Sequence, residues 1–445
     1  SKKGIHRFKG AFYQYKVGIP EHESDTLTNS TEFQTQIQER AYIVPSQLQN
    51  NLFIFSDNIW YFSKSEFQVI LGQTTNRLSE FEEDQIVPSM DLNLSNSLIQ
   101  GKWIFKLSEK LSFVSGIQSM FQKNWNSVSA SEFLIPNGKT KDIGVYSMVD
   151  LSLKNWFIQF GGRVDQRKLH SNDQNFQPSE FTKSYNSATY SLNALYKLHK
   201  NQFRFSASSG YRAPHFAELL SNGVHHGSLR YEIGSTNLQP EYANQFEASA
   251  KINAEHTSVL VNPFYQSYRH YIFLNPLDSA VDGLPVFRFE QLSKVQFMGI
   301  DISLHHHPHF AHGLHTETNF SFIQPIGNFE TALIPQPRLT EIMQYEFASN
   351  KKLFLKSISL EATWCGSQYQ VASFETPTSS YYTIDASVEL IYSKKQNLSC
   401  SFGVRNITNQ SYIDHLSRLK NIGIPMPGRS FLVSLKFELQ KNKLR

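Results

Sequence analysis

No apolar run in this chain of 445 residues approaches the roughly 18 residues that a membrane-spanning helix needs. A helical membrane protein is excluded, and any crossing of a bilayer falls to strands. Cysteine is almost missing: Cys365 and Cys400 stand alone, and neither has a CxxC partner. No cysteine-based redox or metal motif can be built from them. Both fall in strand-like segments, where they read as inert thiols, with a bridge between neighbouring strands as the alternative in an oxidising compartment. Charge is thin as well, at 18% of residues, and 42 basic side chains nearly cancel 38 acidic ones. The basic residues are scattered rather than striped, so no nucleic-acid partner is expected. GxSxG, HExxH and P-loop signatures are lacking, and no enzyme activity is expected. The chain opens on Ser1 without a Met or a signal peptide, which fits a processed or truncated chain.

What is abundant is aromatic and uncharged polar: 35 Phe and 20 Tyr stand among many Ser, Asn and Gln. That mixture suits a wall with one apolar face and one wet face. Length alone would give two or three domains. An all-β barrel escapes that rule, because added strands enlarge its circumference rather than its core. A single barrel is therefore expected over 1–439, with a polar tail at 440–445. Mean hydropathy is negative, which decides nothing, since half of each barrel strand faces a polar lumen.

The pattern of the segments is more telling. From Tyr382, the residues Ile384, Ala386, Val388, Leu390 and Tyr392 share one face, while Thr383, Asp385, Ser387 and Glu389 share the other. This period of two lasts about 11 residues, enough for a tilted strand to cross a bilayer. Aromatics close both ends of the apolar face, as girdle residues do. Phe203 to Arg212 and Phe431 to Glu438 repeat the pattern. Periodicity does not separate this from a soluble sandwich; strand length and loop asymmetry do. Short connections at 63–65, 108–110, 154–155, 199–201, 254–256 and 393–396 alternate with long ones. The long ones lie at 20–46, 79–89, 128–140, 170–182, 214–240, 275–284 and 415–425. Tight periplasmic turns and long external loops have this rhythm in an antiparallel transmembrane β-barrel, here of about 18 strands.

One loop carries more specific residues. Gly210-Tyr211-Arg212-Ala213-Pro214 ends a rising strand and runs through Glu218-Leu219-Leu220, then through Gly234 and Asn237-Leu238 to Pro240-Glu241. This stretch resembles TonB-dependent outer-membrane receptors, whose barrels carry a "GYRAP…EL" strand end and a loop closing with "G…NL-x-PE". Val404-Arg405-Asn406-Ile407-Thr408-Asn409, Tyr412 to His415 and Pro427-Gly428-Arg429 resemble the family's last strand pair. The likeness is dense over the second half and looser back to Gly18-Ile19-Pro20. It implies a barrel of about 22 strands in the outer membrane, gated by an N-terminal plug that the TonB-ExbB-ExbD complex pulls to admit a scarce ligand. Against that plan the chain is expected to be the C-terminal barrel portion, with the plug and about four strands lying elsewhere. A passive porin or adhesin barrel without energy coupling is the alternative.

No cofactor is required by this plan; the metal question concerns the transported ligand. Tyr211, Arg212, His215, Glu218, His225 and His226 are the candidate ligand-binding residues, all in or beside the longest internal loop. Imidazoles and carboxylates suit Zn²⁺ and equally contact haem iron. Gly223-Val224-His225-His226 followed by Glu232-Ile233-Gly234 resembles the zinc-receptor branch. The first external loop adds His22 and Glu23, beside Glu21 and Asp25, as further candidate metal ligands. Zinc, haem and a ferric chelate all remain open as the ligand, as does a plain reading of His225 and His226 as loop residues bonded to backbone. A second histidine cluster, His305, His306, His307, His309, His312 and His315, falls at a turn expected on the periplasmic side. Its expected property is adventitious metal affinity rather than capture from outside.

Overall fold

A computed structural model describes residues 3–18, 45–82, 84, 86–225, 230–327, 332–349, 351–393, 397–420 and 423–438. They form one 20-stranded sheet. The first seven strands are β1 (Gly4–Gly18), β2 (Ser46–Tyr61), β3 (Ser65–Phe81), β4 (Met90–Lys106), β5 (Leu111–Asn126), β6 (Gly138–Ser152) and β7 (Trp156–Asn172). Each pairs antiparallel with the next. Then come β8 (Glu180–Leu198), β9 (Asn201–Arg212), a one-turn helix α1 (Phe216–Leu220), and two four-residue strands, β10 (Asn222–His225) and β11 (Arg230–Ile233). Next are β12 (Glu241–Asn253), β13 (Thr257–Val281), β14 (Leu284–His306), β15 (Leu314–Pro325) and β16 (Arg338–Glu346). The chain ends with β17 (Leu353–Cys365), β18 (Tyr381–Ser393), β19 (Asn397–Arg405) and β20 (Ser430–Glu438), and from β14 onward the pairing is again sequential and antiparallel. β10 and β11 belong to a loop. Setting these two aside from the 20 leaves 18 long strands among the described residues, the number the loop rhythm predicted.

Two compact units make up the chain. The first comprises 1–193, 207–244 and 268–294. On β6 of this unit Ile143, Val145 and Val149 are exposed while Asp142, Gly144, Tyr146 and Met148 turn to the other face. Val145 stands opposite Ile117 on one side and Val164 on the other, and all three are 45–57% exposed. The opposite face is polar and internally neutralised. Arg167 pairs with Asp142 at 2.6 Å and Arg163 with Asp165 at 2.5 Å.

The second unit comprises 194–206, 245–267 and 295–445. An apolar row crosses five of its strands through Met343, Leu360, Ala386, Val404 and Phe431, each opposite the next. Phe431 is 76% exposed. A soluble protein rarely leaves such rows of large apolar side chains in water. Exposed rows backed by charge-paired polar residues invert the soluble pattern and suit lipid on the apolar face.

Five of the six predicted short turns fall where expected, and the sixth lies partly outside the described residues. The long loop expected at 275–284 is instead strand: β13 and β14 run on to a two-residue tip, Asp282-Gly283, at φ of 51° and 78°. Positive φ at both central residues is the twist-matched hairpin geometry, and it favours Gly at the second position. Cys365 and Cys400 are both free thiols, Cys365 being buried.

Val145→Arg, on the apolar row, should cost about 2–4 kcal/mol of stability in a bilayer if it lies near the midplane. Met148→Gln, on the polar face, should cost well under that. Urea titration after refolding into lipid vesicles checks both.

Candidate functional site

The motif loop departs from the end of β9. Pro214 is buried, and Ala213, Phe216, Leu219, Leu220 and Leu238 are buried in one apolar cluster with Leu169, Phe181, Tyr185 and Ile272. The short apolar residues of the motif therefore fix the loop rather than bind anything. Two glycines make the packing close. A Cβ at Gly138 would lie 2.5 Å from the Phe216 ring, and one at Gly234 would lie 2.5 Å from the backbone of Leu219 and Leu220. The Asn237-Leu238 end is held by its carbonyls: Leu238 O accepts from Lys183 Nζ at 3.0 Å and from the Tyr185 hydroxyl at 3.2 Å.

Charge is concentrated at one point. Arg212 donates to Glu218 Oε1 at 2.6 Å and to Glu241 Oε2 at 2.5 Å. Glu218 is buried, and its second oxygen accepts the His215 backbone N–H at 3.0 Å, satisfying a donor at the start of α1. One guanidinium thus ties the end of β9 to α1 and to the start of β12. The Tyr211 ring lies against Tyr242, 5.4 Å between centroids, and its hydroxyl is buried without a hydrogen-bond partner. His215 Nε2 is 3.6 Å from Glu218. Desolvation holds this imidazole below the usual histidine range, and Arg212 and Arg167 act in the same direction against the pull of Glu218. A neutral imidazole is what metal ligation requires.

The β10–β11 hairpin sits beyond this clamp, with Asn222 N–H on Leu134 O at 3.2 Å and β11 running parallel to residues 286–288 of β14. It presents His225, whose Nδ1 is 3.1 Å from Glu232 Oε1. Arg230 Nε donates to the same oxygen at 2.7 Å. Burial disfavours ionisation of Glu232, but the His225 hydrogen bond and the Arg230 charge win and hold its carboxyl below the usual range. Of the predicted residues, Arg212, His215 and Glu218 come together, Tyr211 turns its ring to Tyr242 instead, and His225 stands on the hairpin. His226, His22 and Glu23 lie outside the described residues. Glu232 was not singled out from the sequence as a binding residue; its only signal was its place in the Glu-Ile-Gly segment.

A second network knits three loops of the other unit. Gln336 donates to Ser379 O at 3.2 Å and its Oε1 accepts from His415 N–H at 3.2 Å. Thr378 Oγ1 and Lys420 Nζ meet His415 Nδ1 at 2.9 and 3.0 Å, and Glu375 Oε1 lies 3.8 Å from Nε2. Glu375 also accepts the backbone N–H groups of Leu333 and Ala372. The loop segments at 332–337 and 366–380 were not among the long ones predicted.

The comparisons with known proteins bear on this arrangement. The family model "TonB dependent receptor-like, beta-barrel" matches residues 8–407. The chain belongs to that family. A search of curated proteins finds no match. Among solved structures the barrel is similar to the copper transporter OprC, at 14% identity and a TM-score of 0.70 over 88% of this chain and 65% of that one. It is similar to the FrpB iron transporter (F5-1 variant) from Neisseria meningitidis, at 13% identity and a TM-score of 0.71 over 97% and 70%. BauA, the ferric preacinetobactin receptor from Acinetobacter baumannii, gives 12% identity and 0.61 over 88% and 63%. The barrel thus spans 65% of the length of OprC and 63% of BauA. At these identities the likeness is one of fold: an all-β receptor barrel, in a family of receptors and transporters rather than enzymes.

Two outcomes are expected here. Arg212→Ala leaves two buried carboxylates facing each other, and should cost about 2–3 kcal/mol, less than the roughly 3–5 of a fully buried pair because the guanidinium keeps a wet edge. Arg212→Lys should recover only part, since an ammonium cannot fork to both acids. Thermal unfolding in detergent reads both variants. The second outcome concerns pH. Burial, with Lys420 beside it, holds His415 below the usual histidine range. With the folded value below the unfolded one, the three-loop network is intact above about pH 6.5 and loses stability as pH falls below it. Limited proteolysis of these loops should accelerate on acidification, and His415→Gln should flatten that response.

Proposed function

We propose that this barrel is the wall and external loops of an outer-membrane receptor that imports a scarce ligand, a metal ion or metal chelate. Zinc, haem and a ferric siderophore are the ligand classes in view. The observation that carries the reading is the motif loop. An Arg212–Glu218–Glu241 clamp fixes one face of it, and a hairpin holds His225 against an ionised Glu232. Capture rests on the hairpin, with His226 as the further donor, and Tyr211 and His215 beneath it. His22 and Glu23 join from the first external loop. Arg212 and Glu218 serve by positioning, since each already satisfies the other. No chemistry is done on the ligand. Energy comes from the TonB-ExbB-ExbD complex through a plug domain, which the family membership supports. The similar folds of a copper transporter, an iron transporter and a ferric preacinetobactin receptor support a metal or metal chelate as cargo.

The test compares Zn²⁺ and haem binding of the intact receptor with that of a His225→Ala, His226→Ala double variant. At least a tenfold loss for one of the two, about 1.4 kcal/mol, is expected. Unchanged affinity for both would remove this loop from the metal argument. Uptake that persists in cells lacking TonB would favour a passive porin.

A further inference from the structure

Two turns of the second unit bring histidines together. The turn after β12 carries Glu255 and His256, and the turn after β14 carries His307 and His309. A backbone hydrogen bond from His307 N–H to His256 O, 3.0 Å, locks the turns side by side. Thr257 Oγ1 meets His306 Nδ1 at 2.9 Å and adds a second tie. The histidine rings then fall within contact: His256 and His309 have centroids 4.4 Å apart, and His256 Nδ1 is 3.2 Å from His307 Nε2.

The hydrogen bonding fixes what His256 offers. If its Nδ1–H donates to His307 Nε2, the proton is on Nδ1 and the lone pair is on Nε2. That Nε2 is buried and has no hydrogen-bond partner. Its nearest acid is Glu255 Oε1 at 3.8 Å. One donor atom each from Glu255, His256 and His309 lie within 4.8 Å of one another, the one such triad among the described residues. Metal-bound histidines are usually arranged like this, with the far ring nitrogen given to a second residue that sets the tautomer. Around a tetrahedral zinc with ligands at about 2.0–2.1 Å, donor atoms sit about 3.3 Å apart. The triad, with its donor atoms within 4.8 Å of one another, is wider than that by at most about 1.5 Å. Glu255 and His309 are exposed and have the rotamer freedom to close the gap.

We propose that Glu255, His256 and His309 form a site for a divalent transition metal, with His307 holding the His256 tautomer and a water in the fourth position. Two imidazoles and one carboxylate select Zn²⁺, Ni²⁺, Cu²⁺ or Co²⁺ over Ca²⁺ and Mg²⁺, whose shells are all oxygen. Bound metal cross-links two successive turns of the sheet. This site is independent of the hairpin at His225 and of the import reading.

Co²⁺ is the probe, titrated into the full chain folded in detergent, since its visible absorption reports tetrahedral nitrogen ligation. One saturable equivalent displaced by Zn²⁺ and indifferent to Ca²⁺ is expected. The His256→Ala, His309→Ala variant should lose it. His307→Ala should weaken it by roughly 10–100-fold without abolishing it. His305→Ala, His312→Ala should retain it. Far-UV circular dichroism of each variant guards against a lost fold, and His256→Gln provides a gentler replacement that should also lose the signal. Binding that persists in both His256 variants overturns the site. So does weak, unsaturable binding that falls in proportion to the number of histidines removed, which would mean an adventitious ion only.

Discussion

A backbone N–H or C=O left unpaired in hydrocarbon costs several kcal/mol, so a chain that crosses a bilayer without helices must pair its strands along their length. The other features of this molecule follow from that demand. Sequential antiparallel pairing answers it with the shortest connections, which is why turns of two to four residues recur at one end of the strand pairs. Pairing also forces side chains alternately to two faces, and the sequence must then serve lipid on one and water on the other. Exposed Val145, Val164 and Phe431 answer the first requirement, and the paired Arg163 and Arg167 answer the second.

Local rules therefore made much of the wall legible. The alternation from Tyr382 to Tyr392 is the face pattern of β18, and polar turn residues mark the short connections. Asn275 to Leu284 misled because Asn275, Pro276, Asp278 and Gly283 carry the composition of a loop. There, pairing between two long strands outweighs local preference, and only Asp282-Gly283 turns. The loop segments at 332–337 and 366–380 were invisible for the opposite reason. Their order comes from contacts such as Gln336 with His415, 79 positions apart, which no window of sequence reveals.

The motif loop shows the same division. Its family signature singles out this loop, and most of the signature residues build the loop's packing and its charge clamp. Ala213, Leu219 and Leu238 pack, Gly234 admits the helix, and Arg212 is consumed by Glu218 and Glu241. The residues with coordinating capacity, His225 and Glu232, fall in the looser Gly-x-His-His and Glu-Ile-Gly segments between the dense signature residues. Scaffold was readable because packing constrains residue type tightly; recognition was less so because a His beside a Glu satisfies several chemistries.

The His415 network has a mechanical meaning. Gln336, Glu375 and His415 belong to three different loops, yet Gln336 bonds to the backbone of Ser379 and His415, His415 to Thr378, and Glu375 to the backbone of Leu333. Three loops so tied cannot drift apart one at a time: a displacement of any one strains bonds in the other two. Lengthening one alone would break the registry of all, whereas the Asp282-Gly283 tip has no such obligations. Variation in loop length is thus channelled toward some parts of this surface and away from others.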